Sequence, residues 1–179
     1  MTTEPWNDSR TPWKTKSAFM SYLRGCLRKA WSVHPVKIAV INKQRKQVLN
    51  PNPRGNRKTV WGFQCPLCDT EDVIKNAQVD HITPAGTLAD ISDVQGFAER
   101  LLVVVEEDLR LICKPCNSAL AMCDKQDITF EEARATKEAI SIQKMKQDNT
   151  WLLSAGLTPA SNAKKRRAQI IEYLLGQDS

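Results

Sequence analysis

Six cysteines and two histidines make up the soft donors and near-neutral bases of this 179-residue chain. Four of the cysteines form two pairs, Cys65-Pro-Leu-Cys68 and Cys113-Lys-Pro-Cys116. A Cys-x-x-Cys turn aims two thiolates at one point, and two such turns complete a tetrahedron around zinc. The 44 residues between the pairs exceed the usual zinc-ribbon spacing, so a further element is expected inside the loop. A redox-active pair is the competing reading, but those motifs open helices in an α/β pattern that is missing around Cys65. A closed four-thiolate site contributes folding energy and does no chemistry of its own. Cys26 and Cys123 are left over and read as buried hydrophobes.

The inserted segment carries the chemistry. Residues 79–86 read VDHITPAG, an aspartate and a histidine at the end of a short apolar run, just before a proline–glycine corner. A neutral imidazole at His81 can take a proton from water. Asn117 follows the second cysteine pair at once, in the first turn of a helix opened by PCNSALAMC with Pro115 at a tolerated position. The thiol cluster would tie the first hairpin to the start of that helix. Asp80 and Asn117 can then meet as two oxygen ligands, leaving the other positions to water and phosphate, as Mg²⁺ is commonly bound. Mn²⁺ suits the same donors. His34, in WSVHPV, has no such company and reads as structural.

The elements that must position these residues are short. Over 16–31 the residues Phe19, Leu23, Cys26, Leu27 and Trp31 recur at helical spacing. Residues 43–58 mix cations with Pro, Asn and Gly and predict an exposed loop. TVWGFQC, AQVDHI and LRLIC read as strands, with VQGFAERLLVVVE between the last two reading as a short helix that runs into an apolar segment. Thr129 and Glu132 form a capping box that predicts a helix over about 129–147. SNAKKRRAQIIEYLLGQ predicts a last helix that stops at Gly176. The class is α+β.

Charge divides the chain more sharply than its net +6 suggests. Residues 1–64 carry 13 Lys/Arg against two Asp/Glu, residues 65–130 five against 12, and residues 131–179 eight against six. Basic flanks around an acidic middle suit arms that hold a polyanion and a centre that collects cations. Four cations at 164–167 fall in the first turn of the last helix, where the dipole disfavours them and where a phosphate would be welcome. No apolar run reaches the ~18–20 residues of a membrane span. MTTEPWNDSR lacks the order of a secretory signal, so a cytoplasmic location with reduced cysteines is expected.

Taken together, CPLC, VDHITPAG and DLRLICKPCN resemble the HNH nuclease motif, the ββα-metal fold, in its zinc-stapled form. The match covers roughly residues 61–123. It implies His81 as general base, Asp80 as the metal-binding acid, and Asn117 at the motif's final position. Asp108 falls where the family usually has its middle asparagine, a departure that matters because a carboxylate accepts but does not donate. The resemblance implies a small core at 61–125 with structural Zn²⁺ on Cys65, Cys68, Cys113 and Cys116 and catalytic Mg²⁺ or Mn²⁺ on Asp80 and Asn117. It also implies helical DNA-binding extensions at 1–60 and 126–179.

The flanks resemble those of phage HNH proteins, homing endonucleases included, which implies action inside the bacterial host cell. The implied reaction is hydrolysis of double-stranded DNA to 5′-phosphate and 3′-hydroxyl ends, by a monomer that nicks or a dimer that breaks both strands. Phosphate contacts are expected from Lys16, Arg24, Arg28, Lys29, Arg54, Arg57, Lys58, Lys164, Lys165, Arg166 and Arg167. Readout is expected from the 43–58 loop or the last helix. The competing readings are a less specific HNH nuclease of phage DNA packaging or restriction, and an inactive zinc-stabilised DNA-binding protein.

Overall fold

The computed structural model describes residues 4–177; the outermost residues of both expected DNA-binding extensions, 1–3 and 178–179, lie outside that range. The class is α+β, and the chain divides into two compact units, Met1–Ile112 and Cys113–Ser179. Among the described residues no helix is long and apolar enough to cross a membrane.

The first unit begins with helix α1, Lys16–Ser32, whose amides start on the Thr15 side chain, 3.2 Å from the Ala18 N–H. Its inward stripe is Phe19, Met20, Leu23, Leu27 and Trp31, packed on Leu88, Phe97 and Leu101. Cys26, expected in that stripe, is exposed, because Met20 takes the inward position and turns the face away from it. Helix α2, Pro35–Gln44, was not anticipated: its VKIAVI run is β-branched and shows no helical stripe. Pro35 sets its first turn, and the Gln44 side chain accepts from the Leu111 N–H at 3.0 Å.

The expected 43–58 loop is also corrected in part. Strand β1, Lys46–Leu49, lies within it and pairs antiparallel with β2, Thr59–Gln64, which pairs in turn with β3, Glu71–Val73. Gly62 sits where the strands crowd: a Cβ there would stand 2.3 Å from Val48 Cγ2 and 2.4 Å from the Asp72 carbonyl oxygen.

A separate two-stranded sheet pairs β4, Ala77–His81, with β5, Leu109–Cys113. Helix α3, Val94–Leu102, is inserted between these strands, and β5 runs without a break into α4, Lys114–Gln126. The order β4–β5–α4 therefore brackets the segment that begins at Asp80–His81. The corner after β4 carries Gly86 at φ +82°, and Arg100 of α3 donates to the Ala85 carbonyl at 2.9 Å.

The second unit is helical: α4, then α5 (Phe130–Lys144), α6 (Asp148–Ser154) and α7 (Ala163–Gln177). Thr129 and Glu132 form the expected capping box at the start of α5. Asn162 caps α7 through a 2.9 Å bond from the Lys165 N–H. Helix α7 continues through Gly176 to Gln177, so the expected stop at that glycine does not occur. Ala139, Ile142, Leu152 and Ile170 form the core, with Trp151 and Leu174 against it.

Arg166 fastens α7 to α6. Its Nε donates to Asp148 Oδ2 at 2.7 Å and a second nitrogen donates to the Ala160 carbonyl at 3.1 Å. Asp148 is buried, and the guanidinium hydrogen bond holds its carboxyl below the usual range against the opposing effect of burial. A carboxyl lowered on folding stabilises the fold above its ordinary pKa, near 4, and loses that contribution as pH falls through the lowered value. Arg166→Ala should therefore cost about 1–3 kcal/mol in urea unfolding at neutral pH. Asp148→Asn should flatten the loss of stability between neutral and strongly acid pH.

Candidate functional site

Four thiols converge. The sulfurs of Cys65, Cys68, Cys113 and Cys116 all lie within 4.8 Å of one another. Sulfurs at the corners of a tetrahedron with 2.3 Å metal bonds are separated by about 3.8 Å, so these donors fit a metal such as zinc. None is in a disulfide, and three of the four are buried.

Local structure explains the convergence. After β2 the Cys65 N–H donates to the Thr70 carbonyl at 3.0 Å and the Asp69 N–H donates to the Cys65 carbonyl at 2.8 Å. Asp69 turns the chain at φ +55°. Cys113 closes β5 and caps α4, with the Cys116 N–H donating to its sulfur at 3.5 Å. A backbone N–H on sulfur favours thiolate over thiol, the form that binds metal. Cys123, expected buried, is half-exposed and donates to the Thr129 carbonyl at 3.5 Å.

His81 ends β4 and is half-buried. Its Nε2 lies 3.1 Å from the Leu101 carbonyl oxygen, in the last turn of α3. Helix-end carbonyls have no partner within the helix, and a carbonyl only accepts. Nε2 therefore carries the proton, and in the neutral ring Nδ1 holds the basic lone pair. The Trp31 indole also packs against His81, its centroid 4.4 Å from the imidazole with 42° between the planes. Trp31 also meets His34 at 5.4 Å. Both histidines of the chain thus share one tryptophan. His34 Nδ1 is buried with no hydrogen-bond partner.

Asp80 and His81 have different partners, as strand alternation requires of neighbours. Asp80 Oδ2 accepts from Arg110 Nε on β5 at 2.9 Å, with both side chains about four-fifths covered. One step along, the Ile82 N–H donates to the Asp108 carbonyl at 2.9 Å, which ties the end of β4 to the start of β5. The Asp108 side chain accepts from the Val105 N–H at 2.9 Å and closes its own turn. Its backbone, not its carboxylate, holds the strand beside His81. Asn117 stands half-buried in the first turn of α4.

The expected phosphate contacts divide into two groups. Lys16 pairs with Asp90, Arg24 donates to the Leu88 carbonyl, Arg166 pairs with Asp148, and Arg167 donates to Gln143. Arg28, Lys29, Arg54, Arg57, Lys58, Lys164 and Lys165 are exposed.

Sequence reasoning did not find Trp31, Arg110 or the Leu101 carbonyl. The only signal for Arg110 was a lone cation alternating with apolar residues in LRLIC. Trp31 lies 50 positions before His81, and nothing local links them.

Cys113→Ser should reduce bound metal from about one ion per chain toward none, as read by elemental analysis. The same variant should lose several kcal/mol of stability, because metal binding is coupled to folding. A fully stable metal-free variant would sink the assignment.

Compared with protein-family models, curated proteins and solved structures, the chain matches none of them.

Proposed function

We propose that the chain is a metal-dependent DNA endonuclease of HNH type, with His81 as the general base and the four-thiol cluster as a structural zinc site. The observation that carries this reading is the 3.1 Å contact between His81 Nε2 and the Leu101 carbonyl oxygen. The Nε2 proton is committed to the Leu101 carbonyl, which leaves Nδ1 to accept a proton from water. The arrangement has the logic of an oriented imidazole in any acid–base site, with a carbonyl in the orienting role. Asp80 beside it, and the β4–β5–α4 order that leads through the cysteines to Asn117, supply the rest of the support.

Hydrolysis of a phosphodiester needs an in-line water, charge relief on the phosphate and help for the leaving 3′ oxygen. His81 would draw the proton from the water as it attacks phosphorus. Trp31 and the Leu101 carbonyl would keep the ring from turning during that step. Asp80 and Asn117 are hard oxygen donors that suit Mg²⁺ or Mn²⁺, and Asp80 has its second oxygen outside the Arg110 bond. Such an ion would supply charge relief on the phosphate and stabilise the departing 3′ oxygen. The products would carry 5′-phosphate and 3′-hydroxyl ends. One base per chain suits nicking by a monomer and a double-strand break by two. The exposed cations of both flanks favour an enzyme that grips a long DNA site, as a phage homing endonuclease must.

The Arg110–Asp80 pair favours one competitor, a zinc-stabilised DNA-binding protein without activity. A guanidinium beside Asp80 weakens its attraction for a second cation.

Cleavage decides between them. On supercoiled plasmid with Mg²⁺, His81→Ala should lower cutting by about 10²–10⁴-fold, the range of general-base catalysis, with DNA affinity unchanged. Gel assay and end sequencing read the outcome. Loss of binding in that variant would undercut the base assignment, and a wild-type chain that binds but never cuts would favour the inactive protein.

A further inference from the structure

Strands β1 and β2 pair Gln47 with Trp61 and Leu49 with Thr59. Strand alternation places these four side chains on one face, and all four are exposed, Leu49 at 82% and Trp61 at 48%. The opposite face packs inward through Val48 and Gly62. Arg45 lies over the Trp61 ring, 4.5 Å from its centroid. The turn beyond, residues 50–58, is built: the Asn50 N–H donates to the Lys58 carbonyl at 2.9 Å and its side chain donates to the Arg57 carbonyl at 3.0 Å. Arg54, Arg57 and Lys58 project from that turn and are exposed.

Charge names the occupant. Residues 43–58 hold six Lys/Arg and no Asp/Glu. Lys43 and Lys46 are neutralised by Glu106 and Glu71, whereas Arg45, Arg54, Arg57 and Lys58 join none of the described ion pairs. Leu49 and Trp61 are exposed at the tip-proximal end of that face, while Phe63, the next position on the same face of β2, is buried in the core, and a cationic tip asks for a polyanion.

We propose that the β1–β2 ribbon is the sequence-reading element, entering the major groove of duplex DNA by its outward face while the tip cations hold phosphates. This rests on the nuclease reading above. A two-stranded ribbon fits a groove about 12 Å wide. Gln47 offers the paired donor and acceptor that match adenine, and Arg45 offers the fork that matches guanine. Leu49 and the Thr59 methyl suit the methyl group of thymine. The tip supplies affinity, and the face supplies the choice of site.

The test uses the full chain carrying His81→Ala, so that DNA is bound and not cut. The probes are one fixed duplex titrated at several salt concentrations, and a pool of short duplexes with a randomised centre, selected and sequenced. Replacing Arg54, Arg57 and Lys58 by alanine should weaken binding to every duplex and lower the salt slope by about 2–3. Gln47→Ala and Leu49→Ala, at exposed positions that the fold does not need, should leave the slope unchanged. Each should relax the selected sequence at one or two adjacent positions, with discrimination there falling about tenfold.

Unchanged selected sequences in both face variants would overturn the proposal, even if the tip variant weakened binding. Stronger binding to anionic vesicles than to duplex would overturn it too. A parent chain that binds no duplex at low salt would overturn this proposal and the nuclease reading together. Duplex binding with the expected ribbon effects, by a chain whose His81 form never cuts, would support the ribbon and overturn only the nuclease.

Discussion

Four sulfurs within 4.8 Å of one another are the constraint on which the candidate site depends. As thiolates they would repel one another, so a cation among them is the natural resolution. Drawing Cys65 and Cys68 to Cys113 and Cys116 closes the 44-residue segment between the pairs. In a chain-entropy account a cross-link over a loop of that length restricts the unfolded chain by about 4 kcal/mol. The segment so closed contains β4, α3 and β5, and therefore Asp80, His81 and Asp108. A short two-stranded sheet is marginal in water by itself, which is why closure matters here.

Within the closed segment, the histidine is held by parts of the chain that are distant in sequence. The end of α3 supplies an acceptor that its own helix cannot use, and α1 supplies an indole. The inserted helix is thus part of the site's support. So is the N-terminal extension, whose apolar stripe seats Trp31 while its outer face keeps Arg28 and Lys29 exposed. One helix serves packing on one side and charge on the other. The same economy appears in α7, where Arg166 is spent on Asp148 while Lys164 and Lys165 face water.

A run of cations in a sequence is therefore not a run of equivalent contacts. Burial of a guanidinium beside a carboxylate turns a candidate phosphate ligand into a structural clamp. Exposure along a two-stranded ribbon does the reverse. It leaves cations, an amide and apolar groups in one plane, with a spacing set by the strands.

The sequence by itself determined the four-thiol cluster, because Cys-x-x-Cys geometry is local and a matched pair of knuckles has few other uses. It also determined β2, β4 and β5, the capped start of α5, and the placing of Asp80 and His81 at a strand end, since period-two alternation and capping chemistry act over a few residues. Helix α2 and strand β1 were not legible, because packing overrode local propensity there. Cys26 fell outside its stripe because a helical wheel does not say which of two overlapping faces will find a partner. Only the tertiary structure decided what touches His81 and Asp80. The Trp31 indole, the Leu101 carbonyl and the Arg110 guanidinium reach them across long stretches of chain, and pairings of that kind depend on strand register and helix packing, which no local pattern encodes.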